Sequence, residues 1–133
     1  MAISAKDIAA LRKATNCGLL DCKKALTESE GDFDKAVEIL RKRGQAKAVK
    51  KAGREANEGI VVAKVEGNKA AITQLSCETD FVGNTDRFRD YASSLLEKTI
   101  ANDTNGDVTE VMATQEKDDL VTMIATIGEN MQI

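Results

Sequence analysis

The stretch Cys77-Glu78-Thr79-Asp80-Phe81-Val82 stands where one sequence pattern stops and another begins. From Ile60 to Leu75 the residues are β-branched and apolar, in the manner of strands. From Arg87 to Ile100 the apolar positions fall on one helical face: Phe88, Tyr91, Ala92, Leu95, Leu96 and Ile100. The six residues between are therefore a strand-to-helix corner, and this half of the chain is α+β. The corner holds a short acid and one of only four aromatic side chains, the others being Phe33, Phe88 and Tyr91. Phe81 lies outside the apolar stripe that starts at Phe88. A Phe near a strand end is commonly a core plug, which spacing by itself favours. If nothing inside the chain claims the ring, it is free to enter a partner.

Working back from the corner, Ile60–Val65 and Lys69–Leu75 flank Gly67-Asn68, and Gly at the first central position suits a two-residue type II′ turn. Working forward, Asn102–Asp107 is a polar loop and Val108–Ala113 a short helix. Glu116–Ile127 is a last helix with Gly128 as its cap. Met131-Gln132-Ile133 resembles the first residues of another strand. A lone hairpin leaves unpaired edges and is marginal in water, so a truncated core that self-associates through strand edges is expected.

The first 44 residues read as three short helices. Ser4 and Asp7 form a capping-box pattern, with Asp for the usual Glu. Thr15–Gly18 breaks the first helix, Asp21 can cap a second, and Gly31 ends it. Asp32 can cap a third, with Phe33, Ala36, Val37 and Leu40 at helical spacing and Gly44 as its C-terminal cap. This is a three-helix bundle with the architecture of ubiquitin-associated domains. Residues 45–57 read as a helical linker with Lys47, Lys50, Lys51 and Arg54 on one face. Such a stripe can meet phosphates or can be a solvated face; without interleaved aromatics it gives no support for base stacking. The expected division is thus a bundle over 1–44, a linker over 45–57 and an α+β core half-domain over 58–133.

Charge follows the same division. Residues 1–57 carry 13 Lys and Arg against 8 Asp and Glu, whereas residues 58–133 carry 6 against 14. A basic module precedes an acidic one. The chain has no histidine, so the commonest general base and the commonest zinc ligand are both missing. It has no glycine-rich phosphate loop and no paired-carboxylate motif, and Cys77 has no base near it in sequence. These features speak against an enzyme, a cofactor or a bound metal. Cys17, Cys22 and Cys77 are an odd count without Cys-x-x-Cys spacing, as expected for reduced thiols in a cytoplasmic protein. No window is long and apolar enough to span a bilayer, so no membrane partner is expected.

Several blocks together resemble elongation factor Ts. Thr15-Asn16-Cys17-Gly18-Leu19-Leu20-Asp21-Cys22-Lys23-Lys24-Ala25-Leu26 is similar to that family's N-terminal signature, which often has Met at the positions of Leu19 and Leu20. Gly31-Asp32 with Ala36-Val37, Lys50-Lys51-Ala52-Gly53, the corner itself and Ile127-Gly128-Glu129-Asn130 resemble later blocks, in order. Typical bacterial members continue beyond the last block, which implies that this chain is short.

The resemblance implies a nucleotide exchange factor for elongation factor Tu, the GTPase that carries aminoacyl-tRNA. It implies that Asp80 and Phe81 reach in beside the GTPase's magnesium site and that Phe81 wedges side chains apart there, so that GDP leaves. Thr79, Val82, Leu19, Leu20, Lys23 and Lys51 become further partner-binding candidates, with no direct nucleic-acid contact. Leu19 and Leu20 could equally pack inside the bundle, and the two lysines could be solvated charges. The other function in view is a protein-interaction module that uses the N-terminal bundle alone.

Overall fold

Ser4 starts the first helix as the local pattern requires. Its hydroxyl accepts from the Asp7 N–H at 3.2 Å, and the Asp7 carboxylate accepts from the Ser4 N–H at 3.0 Å, closing a capping box. The computed structural model of the protein describes residues 2–102 and 105–133. Its fold is α+β, with seven helices and one two-stranded antiparallel sheet among the described residues. The chain forms two units: residues up to Lys51 with Asp118–Gly128, and Ala52–Lys117 with Glu129–Ile133.

In the helical unit, α1 (Ala5–Thr15) ends at Asn16, whose left-handed φ of 55° lets its N–H return to the Arg12 carbonyl at 2.7 Å. The next helix, α2 (Leu19–Glu28), starts at Gly18 without a side-chain cap. Asp21, the cap expected from sequence, therefore does not cap it; it sits in the first turn and pairs with Lys47 at 3.5 Å. Lys47 belongs to α3 (Phe33–Lys51), which begins after Asp32 accepts from the Lys35 N–H at 3.0 Å.

Gly44 does not end α3. The helix runs through it to Lys51, across the boundary expected at residue 44. Glycine inside a helix costs about 1 kcal/mol relative to alanine, and packing explains its presence here. A Cβ on Gly44 would stand 3.3 Å from Val121 Cγ1 and 3.8 Å from Ala125 Cβ, both on α7 (Lys117–Ile127). A side chain on Gly44 would press on Val121, a tight but side-chain contact. The bundle core is Leu11, Cys22, Ala25, Leu26, Ala36 and Leu40, with Ile3, Ile8, Cys17, Val37 and Ile39 packed around it. Phe33 shares the helical spacing of this stripe but remains exposed at its start.

In the second unit, β1 (Glu58–Glu66) pairs antiparallel with β2 (Lys69–Cys77), from Glu58 opposite Cys77 to Glu66 opposite Lys69. Gly67 has φ 61° while Asn68 stays at negative φ, the type II′ arrangement read from the sequence. One residue of the last segment, Gln132, bridges to Ser76 on the free edge of β2, with N–H···O distances of 2.8 and 3.2 Å. Helix α5 (Asp86–Ile100) packs across both strands. It buries Phe88, Ala92, Leu95, Leu96 and Ile100, as its spacing predicts. The short helix expected over Val108–Ala113 is α6 (Thr109–Gln115). Asp103 and Thr104, within the expected polar loop, lie outside the described residues. Among the described residues no helix is long and apolar enough to cross a membrane.

Candidate docking corner

The corner begins where β2 ends at Cys77. Thr79 leaves the strand in an extended conformation, φ −125° and ψ 152°, and caps a one-turn helix, α4 (Asp80–Gly83). Its hydroxyl accepts from the Val82 N–H at 3.4 Å, and its carbonyl from the Gly83 N–H at 3.1 Å. Thr85 then caps α5, accepting from the Phe88 N–H at 3.3 Å. Two caps six residues apart turn the chain twice within one short segment. Phe81 sits on the first of these turns.

Two glycines lie where this turn meets the sheet. A Cβ on Gly59, at φ 137°, would fall 2.1 Å from the Leu75 carbonyl oxygen, so only glycine fits. A Cβ on Gly83 would lie 3.5 Å from Cys77 Sγ and 3.6 Å from Gly59 Cα. The Cys77 thiol donates to the Thr79 carbonyl at 3.1 Å. Burial, with the Glu129 charge adding to it, pushes the thiol pKa up and keeps that proton in place.

The outer side of the turn is left to solvent. Phe81 is 84% exposed, Asp80 is exposed and Val82 is half-buried. The ring is not a core plug: Phe88 and Leu75 are fully buried at 0% exposure, whereas Phe81 stands outside the interior. Arg89 braces the far side of the turn, donating to the Gly83 carbonyl at 3.2 Å and to the Asn84 side chain at 2.9 Å.

The near side is braced from the Gly128-Glu129-Asn130 block. Glu129 Oε1 accepts from the Glu78 and Thr79 N–H groups at 3.1 and 3.0 Å, and Oε2 accepts from the Thr79 hydroxyl at 2.7 Å. In return Glu78 Oε1 accepts from the Asn130 N–H at 2.7 Å and lies 3.6 Å from Arg54 Nη1. The Asn130 amide donates to the Arg54 carbonyl at 2.8 Å. From sequence, Glu78, Glu129 and Asn130 have no assigned role, and Arg54 belongs only to the basic stripe of the linker. The available signal was a carboxylate directly after a helix-ending glycine, and nothing local says what it reaches.

Of the sequence-derived candidates, Thr79, Asp80, Phe81 and Val82 lie together on this corner. The Thr79 side chain is half-buried and committed to internal hydrogen bonds. Leu19, Leu20, Lys23 and Lys51 belong to the helical unit. Leu19 and Leu20, in the first turn of α2, are 54% and 71% exposed and do not pack into the bundle. Lys23 is exposed one turn further along, and Lys51 is half-buried at the end of α3. Among the described residues no group of His, Cys, Asp or Glu is arranged to hold a metal ion.

The corner thus offers an aromatic ring to solvent on a turn held by hydrogen bonds from Glu129 and from Arg89. The chain is 46% identical over 142 residues to elongation factor Ts of a Hydrogenobaculum species, covering all of this chain and 52% of that protein. It is 47% identical over 147 residues to elongation factor Ts of Trichlorobacter lovleyi, covering all of this chain and 46% of the relative. It is 52% identical over 102 residues to that of Parabacteroides distasonis, covering 77% of this chain and 31% of the relative. No family model matches the chain. Over its whole length the chain is homologous to elongation factor Ts. It spans about half the length of the curated relatives it matches.

Proposed function

We propose that this chain acts as a guanine nucleotide exchange factor in translation elongation, docking on elongation factor Tu and promoting GDP release. The observation that carries the reading is Phe81, a large apolar ring left in water on a rigidly held turn. Exposing such a ring is unfavourable at about 25 cal/mol per Å², so a partner that buries it gains that amount. In this reading the Asp80–Phe81 pair enters beside the GTPase's magnesium site. Magnesium bridges the nucleotide phosphates to a GTPase, so a wedge that displaces its supports weakens GDP without touching the base. The work is done by packing and needs no bond making or breaking. Leu19 and Leu20, with Lys23 and Lys51, supply a second, helical contact.

The test mixes the chain with elongation factor Tu loaded with fluorescent GDP. The expected result is faster GDP release, together with tighter binding to the nucleotide-free GTPase than to its GDP form. Linkage requires the factor by which the chain lowers GDP affinity to equal the factor by which GDP lowers the affinity for the chain. Equal affinity for both forms, with unaltered release, overturns the reading. That outcome leaves an interaction module working through the exposed Leu19 and Leu20 alone.

A further inference from the structure

We infer that Glu129 is the positioning residue of the corner, holding the backbone from which Asp80 and Phe81 are presented to the GTPase. The inference rests on the reading of Phe81 as the ring that enters the partner. At 84% exposure the ring has little packing of its own to hold it. Its place is therefore set by the backbone of residues 78–82, and the question is what fixes that backbone.

Strand pairing stops at Cys77, opposite Glu58. The next two N–H groups, of Glu78 and Thr79, no longer have a strand partner, and both donate to one oxygen of Glu129. Its other oxygen accepts from the Thr79 hydroxyl at 2.7 Å. A hydroxyl has one proton to give and lone pairs to spare. With its proton committed to Glu129, Thr79 Oγ1 turns a lone pair to the Val82 N–H at 3.4 Å, inside the turn that carries Phe81. Glu129 thus reaches the first turn of α4 through Thr79. Hydrogen bonds to an ionised carboxylate are shorter and stronger than neutral ones, which suits a fixed strut.

The strut is itself anchored. Asn130, the next residue, gives its N–H to Glu78 and its amide to the Arg54 carbonyl. Both Glu129 oxygens are occupied within the chain and the residue is half-buried, so its part is to hold the corner and not to meet the partner. A wedge pre-set in its bound position avoids the ordering cost that a loose loop would incur on docking.

A double-mutant cycle on the intact chain tests this, reading GDP release from elongation factor Tu by stopped flow. Glu129→Ala should slow release by about tenfold in the wild-type background and by less than about twofold when Phe81→Ala is already present, because the two residues act as one unit. Glu129→Gln keeps an oxygen for the two N–H groups and should recover part of the loss. If Glu129→Ala does not fold, the same cycle is run with Glu129→Gln, with about a threefold loss expected in the wild-type background only. Equal losses in both backgrounds would mean that Glu129 merely stabilises the unit, and would overturn the assignment. So would an unchanged rate in the wild-type background. A wild-type chain that fails to speed release retires the exchange reading itself, an outcome distinct from either.

Discussion

Glu78 and Glu129 cap each other's segments. The Glu129 carboxylate takes the Glu78 N–H at 3.1 Å, while the Glu78 carboxylate takes the N–H of Asn130, the residue after Glu129, at 2.7 Å. Two acidic side chains are held close by sharing out backbone donors, with Arg54 beside Glu78 offsetting the charge. The consequence is a turn that stays in place while its outermost side chain, Phe81, has almost no contacts.

Phe81→Ala removes a ring that is already in water. Stability should change by no more than about 0.5 kcal/mol, as for other surface positions. GDP release should slow by at least about tenfold, the usual cost of truncating an aromatic anchor at an interface. Thermal melting and stopped-flow release on the one variant check both. A large loss of stability with unchanged exchange per folded molecule would make the ring a structural residue after all.

Gly59→Ala should be far more costly than Gly67→Ala, although both glycines have positive φ. At Gly67 nothing lies within 4 Å of the added Cβ, so only the backbone conformation is penalised, by about 1 kcal/mol. At Gly59 the Cβ would meet the Leu75 carbonyl oxygen at 2.1 Å, and neither piece of backbone can step aside without breaking the hairpin register. A loss of at least about 3 kcal/mol is expected from strain and clash together. Urea unfolding of the two variants gives the comparison.

Glu116 is 1% exposed and has Lys98 Nζ at 2.7 Å and the Tyr91 hydroxyl at 3.4 Å. Glu116→Ala should cost about 1–3 kcal/mol, the penalty for polar groups left unmatched. The side chain of Lys98 is 39% exposed and can turn to water, which keeps the loss below the roughly 3–5 kcal/mol seen when a fully buried charge is stranded. A urea midpoint equal to that of the wild type would show the pair to be energetically neutral.

Alkaline pH should weaken the fold through its thiols. Burial pushes the pKa values of Cys22 and Cys77 up from their ordinary value. The folded chain therefore keeps these protons after the unfolded chain, at about 8.5, has released them. Their contribution is fully present below that value and is lost as pH rises through the higher folded-state values. Unfolding free energy should fall as pH rises above about 8.5, and less steeply in a Cys22→Ala, Cys77→Ala variant. Alkylation followed by mass spectrometry should label the half-exposed Cys17 first.

Several elements could be read from the sequence because their determinants are neighbours in the chain. The Ser4–Asp7 capping box, the Gly67-Asn68 turn and the Phe88–Ile100 stripe depend on residues two to four positions apart, where backbone geometry alone brings side chains together. The family blocks made the corner itself visible. Tertiary structure alone decided three other matters. Spacing favoured Phe81 as a core plug, but the fold buries Phe88 and Leu75 and leaves the Phe81 ring outside. Gly44 has the composition of a helix end, yet it lies mid-helix, where the chain brings Val121 and Ala125 of α7 beside it. Glu129 meets Glu78 and Thr79 across 51 and 50 residues, and no local period can carry that information. The physical reason is common to all three. A residue's local conformation depends mainly on its near neighbours, while what its side chain meets depends on where the whole chain returns.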